Sequence, residues 1–345
     1  MDSQRPVRVA ILGLGFMGST HAKALREIPG AELAAVCDNQ DDKKLAGDLS
    51  EVRGNLGGPG GKLDFSGVTQ YRELDSVLAD PRIDAVDICL PTDLHEPVAI
   101  DALRAGKHVL VEKPMGLDGF AVYHMLGAAA RYKRVLMTAQ VLRFSPPYIA
   151  LRQAVRRGEL GPMRFAMFRR RCAAPGWGGW LLDPLKSGGG VFDLLIHDAD
   201  MCLHLFGKPE AVAATGYSDP VAGIDCIDAQ LFYPHGGMVS ITGGWHHPGA
   251  YPFSMEYTVT LDAATIEYSS NGRPPTLYAS GRPEQVLDVE TRDGYAAEIE
   301  CFIGSCRDGR APEICPPRES ADAVKLMLLL VEARTRNGRK IVCSI

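Results

Sequence analysis

Between Val7 and Thr138 the chain alternates short apolar runs with amphipathic stretches. The runs Val7–Leu12, Leu33–Cys37, Ala85–Leu90, Val109–Val111 and Val135–Thr138 have the length of buried strands, and segments between them carry helical spacing. Glu96–Ala105, closed by Gly106, is one such predicted helix. Apolar strands alternating with helices predict βαβ units on a doubly wound parallel sheet, here over residues 1–142. Beyond Arg143-Phe-Ser-Pro-Pro-Tyr148 the rhythm changes. A helix is predicted to start at Pro146 and Pro147, because proline is tolerated in a first turn. From Met163 the pattern reads mostly as strands, at 163–171, 210–217, 225–233, 237–245, 253–260 and 263–269. One long helix, 190–206, interrupts them and stops at Gly207, and helices return at Tyr295–Cys306 and Ser320–Thr335. Residues 143–345 therefore read as an α+β domain with a mainly antiparallel sheet. The glycine-rich segment 53–61 breaks the first rhythm and reads as a mobile loop with no assigned role.

Charge and cysteine usage narrow the function classes. A net charge of −5 argues against a nucleic-acid binder, which needs a basic face. The run Arg169-Arg170-Arg171, at the end of a predicted strand, reads as a solvated tip. Nine scattered cysteines without a Cys-x-x-Cys pair fit reduced thiols in a cytoplasm. The opening apolar run is too short for a signal peptide, and the run 326–331 is too short to span a bilayer. The expectation is a soluble, cytoplasmic protein.

Gly13, Gly15 and Gly18 fall in the G-x-G-x-x-G spacing, with Phe16 and Met17 between them, directly after a strand and opening a helix. The first glycine permits a tight turn, the second lets a pyrophosphate approach the backbone, and the third allows close helix–strand packing. The next strand ends on Asp38, whose carboxylate can accept hydrogen bonds from a ribose 2′-OH and would repel a 2′-phosphate. This predicts a Rossmann-type domain that binds NAD rather than NADP.

The strand Val109–Val111 runs into Glu112, Lys113 and Pro114. Ligands of such sheets bind outside the carboxyl ends of the strands, so Lys113 is either a group that reaches a cofactor or substrate or a lysine that snorkels to solvent. In the helix 190–206, Asp193, His197, Asp200 and His204 fall on one stripe of an otherwise apolar surface. Asp193 and His197 are i, i+4 neighbours, which reads either as a general base oriented by an aspartate near neutral pH or as a buried histidine satisfied by an aspartate of its own helix. His204 is assigned to structure. A metal site is disfavoured, with one histidine among hard carboxylates, and none is predicted.

With these residues in view the chain resembles the Gfo/Idh/MocA oxidoreductases over nearly its whole length. The blocks CLPTDLHEPVAIDALRAGKHVLVEKPM and WLLDPLKSGGGVFDLLIHDAD carry the resemblance, with RFSPP, YAAEIECF and the C-terminal ESADAVKLMLLLVEARTRNGRK. It implies a catalytic set of Lys113, Asp193 and His197, and places Pro91, Thr92, His95 and Glu112 near the cofactor with the glycine turn and Asp38. It also implies Arg143 and Trp180 around the substrate, with Lys113, Asp193 and His197, and makes the Lys113–Pro114 peptide a candidate cis bond. The implied reaction moves hydride between a secondary hydroxyl of a sugar, cyclitol or sugar derivative and the nicotinamide. His197 takes the hydroxyl proton, Lys113 hydrogen-bonds the reacting oxygen and Asp193 orients His197. The family also holds members that retain NAD and oxidise only transiently, and non-catalytic regulators. An open C-terminal sheet implies a homodimer or homotetramer. The segments 169–179 and 243–253, with Trp177, Trp245, His246 and His247, match no particular member and read either as sugar-stacking or as packing aromatics.

Overall fold

The computed structural model describes residues 5–39, 41–54, 61–177 and 179–345, so most of the glycine-rich segment 53–61 lies outside the described residues. The chain divides into two units, Met1–Val141 with Asp293–Ala321, and Leu142–Arg292 with Asp322–Ile345. The first break falls beside the expected 142/143 boundary. The return of 293–321 to the first unit is not announced by the alternation of strands and helices.

In the first unit the order is β1 (Val7–Leu12), α1 (Phe16–Leu25), β2 (Ala31–Cys37), α2 (Asp42–Leu45), β3 (Thr69–Tyr71), α3 (Leu74–Ala79), β4 (Ala85–Ile88), α4 (His95–Arg104), β5 (His108–Glu112), α5 (Gly119–Tyr132) and β6 (Leu136–Ala139). The strands form a parallel sheet in the order β3-β2-β1-β4-β5-β6. Its central strands are buried at nearly every position rather than alternating, because both faces are covered. The order reverses between β1 and β4, which opens a ligand crevice at the carboxyl ends of those strands. Leu12 pairs with both Cys37 and Ile88, and Ile88 with Val111, so these strands end level. That register brings Gly13, Asp38, Cys89 and Glu112 to one edge. The short strand β3 escapes sequence reading because its three residues, Thr69, Gln70 and Tyr71, contain no apolar run.

The second unit contributes α6 (Pro146–Arg156), β7 (Met163–Ala173), α7 (Pro184–Ser187), α8 (Gly189–Phe206), β8 (Ala211–Asp219), β9 (Ile224–Phe232), β10 (Met238–His247), β11 (Ser254–Leu261), β12 (Ala264–Ser269), β13 (Arg273–Ala279) and β14 (Gln285–Val286). The helices α9 (Gly294–Asp308) and α10 (Pro317–Thr335) follow, then β15 (Ile341–Val342). The sheet has the order β14-β13-β12-β11-β7-β10-β9-β8-β15, antiparallel throughout except for the parallel pair β7–β10. Strand β12 shows the alternation of a half-covered sheet, with Ala264, Ile266 and Tyr268 buried and Thr265, Glu267 and Ser269 more open. Helix α8 packs on the buried face, against β7, β9 and β10. Strand β13 is hidden from sequence reading by Pro274 and Pro275, which lack the ladder N–H.

Helix α9 returns to the first unit because its buried stripe of Ile299, Phe302 and Ile303 packs with α1 and β1. Asp293 caps it, accepting the Tyr295 N–H at 3.0 Å.

Candidate active site

The glycine turn in the first unit is built for close approach. Gly13 has φ +90°, and a Cβ there would meet the Cys89 carbonyl oxygen at 2.6 Å. A Cβ on Gly18 would meet the Gly13 carbonyl oxygen at 1.8 Å, so α1 can pack on the turn only with glycine there. Around Gly15, by contrast, the space is open, with nothing within 4 Å of the Cβ position. Gly15 is the N-cap of α1 and offers no side-chain cap to its first amides. An open backbone at an uncapped helix start, followed by Phe16 and Met17, fits a dinucleotide pyrophosphate. Asp38 is buried at the end of β2, accepting the Leu14 N–H at 2.9 Å and the Asp41 N–H at 3.3 Å. It is thus a brace of the glycine turn.

On the same edge β5 ends at Glu112, and the Lys113–Pro114 peptide is cis, as the motif implied. Lys113 is part-exposed, whereas Pro91 leads into a short 3₁₀ turn with Thr92 buried. His95 lies 2.8 Å by Nδ1 from the Pro114 carbonyl oxygen and 2.9 Å by Nε2 from that of Leu90. It ties the loop after β4 to the loop after β5, and its ring nitrogens face backbone rather than solvent. Burial holds its pKa below the usual value, against the opposing pull of the two carbonyls.

Glu112 turns inward. Its carboxylate accepts the Lys113 N–H at 2.9 Å through Oε2, and its Oε1 lies 3.3 Å from His21 Nε2. His21, on α1, is fully buried, with Nδ1 bonded to Asp87 Oδ2 at 2.8 Å. Glu298 Oε1 of α9 is 3.7 Å from His21 Nε2. Burial raises the pKa of both glutamates. For His21 burial pulls the value down, but Asp87 and Cys89 together outweigh it and the net direction is upward. Sequence reading missed this cluster, although Asp87 and Glu298 each stand among apolar neighbours. Among the described residues the one group of metal-type donors is His21, Asp87 and Cys89. Its imidazole and carboxylate are already bonded to each other, and burial pushes the Cys89 thiol far above its ordinary value, so the donors favour protons over a cation.

In the second unit α8 begins at Gly189, and the ring of Trp245 would lie 2.5 Å from a Cβ on Gly190. Its first turn is capped from across the sheet: Asp225 of β9 accepts the Val191 N–H at 2.8 Å and pairs with Arg334 at 2.6 Å. The predicted polar stripe divides. Asp200 is buried and receives both arms of the Arg143 guanidinium at 2.7 Å. Arg143 itself is 1% exposed and braces α8 through this pair. His204 lies 3.3 Å from Arg152, in keeping with a structural role. Asp193 and His197 are part-exposed, in contrast to the buried Asp198 and Asp200 on the same helix.

The arginine run corrects another expectation. It lies in β7 at the middle of the nine-stranded sheet, not at a solvated tip. Arg170 is 3% exposed and forks onto Asp198 at 2.8 and 3.1 Å. Arg169 and Arg171 share Glu256 of β11. Of the aromatics, Trp245 is buried packing, Trp180 is half-buried in the turn before α7, and Trp177 is exposed. His247 stacks on Tyr251 with ring centroids 3.8 Å apart, and Arg171 lies over the Tyr251 ring.

Comparison with known proteins places these features in context. Residues 7–140 match the model of the oxidoreductase family, NAD-binding Rossmann fold, and residues 148–267 match the GFO/IDH/MocA C-terminal domain. The chain is 31% identical to inositol 2-dehydrogenase of Rhizobium meliloti, over 96% of each chain. It is 28% identical to myo-inositol 2-dehydrogenase of Thermotoga maritima, over 94% of each. An aldose–aldose oxidoreductase from Caulobacter crescentus, solved with glycerol, shares the fold at a TM-score of 0.83 and 24% identity, covering 98% of this chain and 100% of that one. Among the described residues no helix is long and apolar enough to cross a membrane.

Proposed function

The chain belongs to the Gfo/Idh/MocA oxidoreductases, which act on CH–OH groups, and we propose that it is an NAD-dependent dehydrogenase of a sugar, cyclitol or sugar derivative. The observation that carries this reading is the exposure pattern along α8. Asp198 and Asp200 are buried and neutralised by arginines, whereas Asp193 and His197 are part-exposed one turn apart. An aspartate and histidine so spaced form a base pair suited to a hydroxyl proton near neutral pH.

NAD, when bound, supplies the acceptor for the hydride. Gly13, Gly15, Phe16, Met17 and Gly18 hold its pyrophosphate, Asp38 its adenosine ribose, and the Pro91–Thr92 turn, pinned by His95, its nicotinamide end. His197 takes the hydroxyl proton, and Asp193 orients the imidazole and stabilises its charged form. Lys113 donates a hydrogen bond to the reacting oxygen as negative charge develops there. Glu112 supports Lys113 from within, Arg143 acts through Asp200 and α8, and Trp180 lines the substrate side. The more open face of the nine-stranded sheet, with Thr265 and Glu267, is assigned to a second copy in a homodimer or homotetramer. Nine free thiols fit a cytoplasmic location.

Two measurements test this reading. In fluorescence titrations NADH should bind about tenfold or more tightly than NADPH, because Asp38 repels a 2′-phosphate, and Asp38→Ser should narrow that ratio. Equal affinities for the two would remove the cofactor assignment. Separately, product analysis on cyclitols, free sugars and glycosides should show NADH formed in step with product. Product without NADH would assign the chain to retained-cofactor chemistry instead, and no product from any of them would overturn the proposal.

A further inference from the structure

We propose that His21 is a positioning residue for the Lys113 turn: gripped by Asp87, its imidazole draws the Glu112 carboxylate inward, where it accepts the Lys113 N–H. This rests on the reading of Lys113 as a working residue of the reaction.

The geometry runs in one line from α1 to the turn. Asp87 on β4 fixes Nδ1 of His21 at 2.8 Å and so sets the plane of the ring. Nε2 then lies 3.3 Å from Glu112 and 3.7 Å from Glu298, within ion-pair range of both though in hydrogen-bond geometry with neither. These partners are unequal. Both carboxyl oxygens of Glu298 are buried without a hydrogen-bond partner, and burial raises its pKa. Glu112 is the nearer carboxyl group to the imidazole and the one whose other oxygen is hydrogen-bonded, so it is the one through which the imidazole acts on the turn. The other oxygen of Glu112 accepts the N–H of the residue that follows it, at 2.9 Å. The ring of Tyr295, centred 6.2 Å from that of His21, and the Cys89 thiol, 3.7 Å from Nδ1, help close the space around the imidazole. Four separate elements, α1, β4, β5 and α9, thus meet on one imidazole directly behind the turn. Without it, Glu112 is a buried carboxylate left with Lys113 as its cationic neighbour, which favours its taking up a proton or swinging toward that lysine.

Amide hydrogen exchange on the full-length protein tests this without a substrate. In His21→Leu the Lys113 amide should exchange about tenfold faster, while amides in β1 and in the second unit stay within about twofold of wild type. His21→Gln, which keeps a donor, should recover part of the protection. If His21→Leu does not fold, Glu112→Gln provides the second arm: it keeps an acceptor oxygen but loses the charge, and should give an intermediate rate at Lys113. Unchanged exchange at Lys113 in a folded His21→Leu protein, or an equal rise throughout β1, β4 and β5, would overturn the proposal. With a turnover assay in hand, His21→Leu should lower kcat about tenfold and leave KM nearly unchanged. A wild-type protein without dehydrogenase activity would remove the functional reading, yet the exchange result would still decide the role of His21.

Discussion

His197→Ala is expected to lower kcat by about 10²–10⁴, the usual contribution of a positioned general base, with little change in stability. The second half of that expectation follows from placement. His197 is part-exposed on α8, so truncation leaves no large cavity and strands no buried charge. Asp193→Asn should fall in the same direction by a smaller factor, because the amide keeps the shape but cannot stabilise the charged imidazole. Lys113→Ala is expected to cost about 10²–10³ in kcat, the scale of removing one donor from a developing oxyanion. Steady-state kinetics with a matched thermal-unfolding curve separates these losses from misfolding. Near-normal turnover in both His197→Ala and Lys113→Ala would remove the catalytic assignment.

Asp198→Ala, one residue further along the same helix, is expected to behave in the opposite way, destabilising the second unit by about 3–5 kcal/mol. Arg170 lies in the central strand of the sheet with its guanidinium 2.8 and 3.1 Å from Asp198, and neither side chain reaches solvent to a useful degree. Removing the carboxylate leaves a buried guanidinium with only the Tyr148 hydroxyl, at 3.4 Å, and the Met255 sulfur. The pair holds α8 to the sheet, and Arg143–Asp200 ties the same helix to the turn that precedes α6. Replacing both partners with apolar residues, Arg170→Met with Asp198→Leu, should recover much of the loss, because no charge is then stranded. Denaturant unfolding of the full chain reads both effects. A loss under about 1 kcal/mol in Asp198→Ala would mean that the pair contributes no more than a surface salt bridge.

The contrast between His197 and Asp198 also shows how far the sequence reaches. The parallel sheet was legible because its central strands are short runs dominated by apolar residues, and the glycine turn because its spacing, preceding strand and following helix agree. Lys113 was legible because it breaks an apolar run at a strand end. Asp87, Glu298, Asp198 and Asp200 also stand among apolar neighbours, yet sequence reading passed over all but Asp200, because an acid in an apolar run does not name its partner. Their partners, His21, Arg170 and Arg143, come from elements that meet only through the sheet register. Helical spacing placed Asp193, His197 and Asp200 on one stripe, yet it could not tell that Arg143 takes up Asp200. The arginine run was misplaced for a related reason. Three successive charges look solvated until β11 and α8 supply Glu256 and Asp198 on opposite faces of β7. Strand β13 was lost to its prolines.

The most direct test of the central claim follows the hydride itself. Cyclitols and sugars deuterated at their ring carbinol carbons would be incubated with the protein and NAD, and the nicotinamide product recovered for mass analysis. The account predicts one substrate class that yields NADH carrying one deuterium per turnover, with His197→Ala yielding almost none. NADH without deuterium, or no labelled product from any member of the panel, would contradict it.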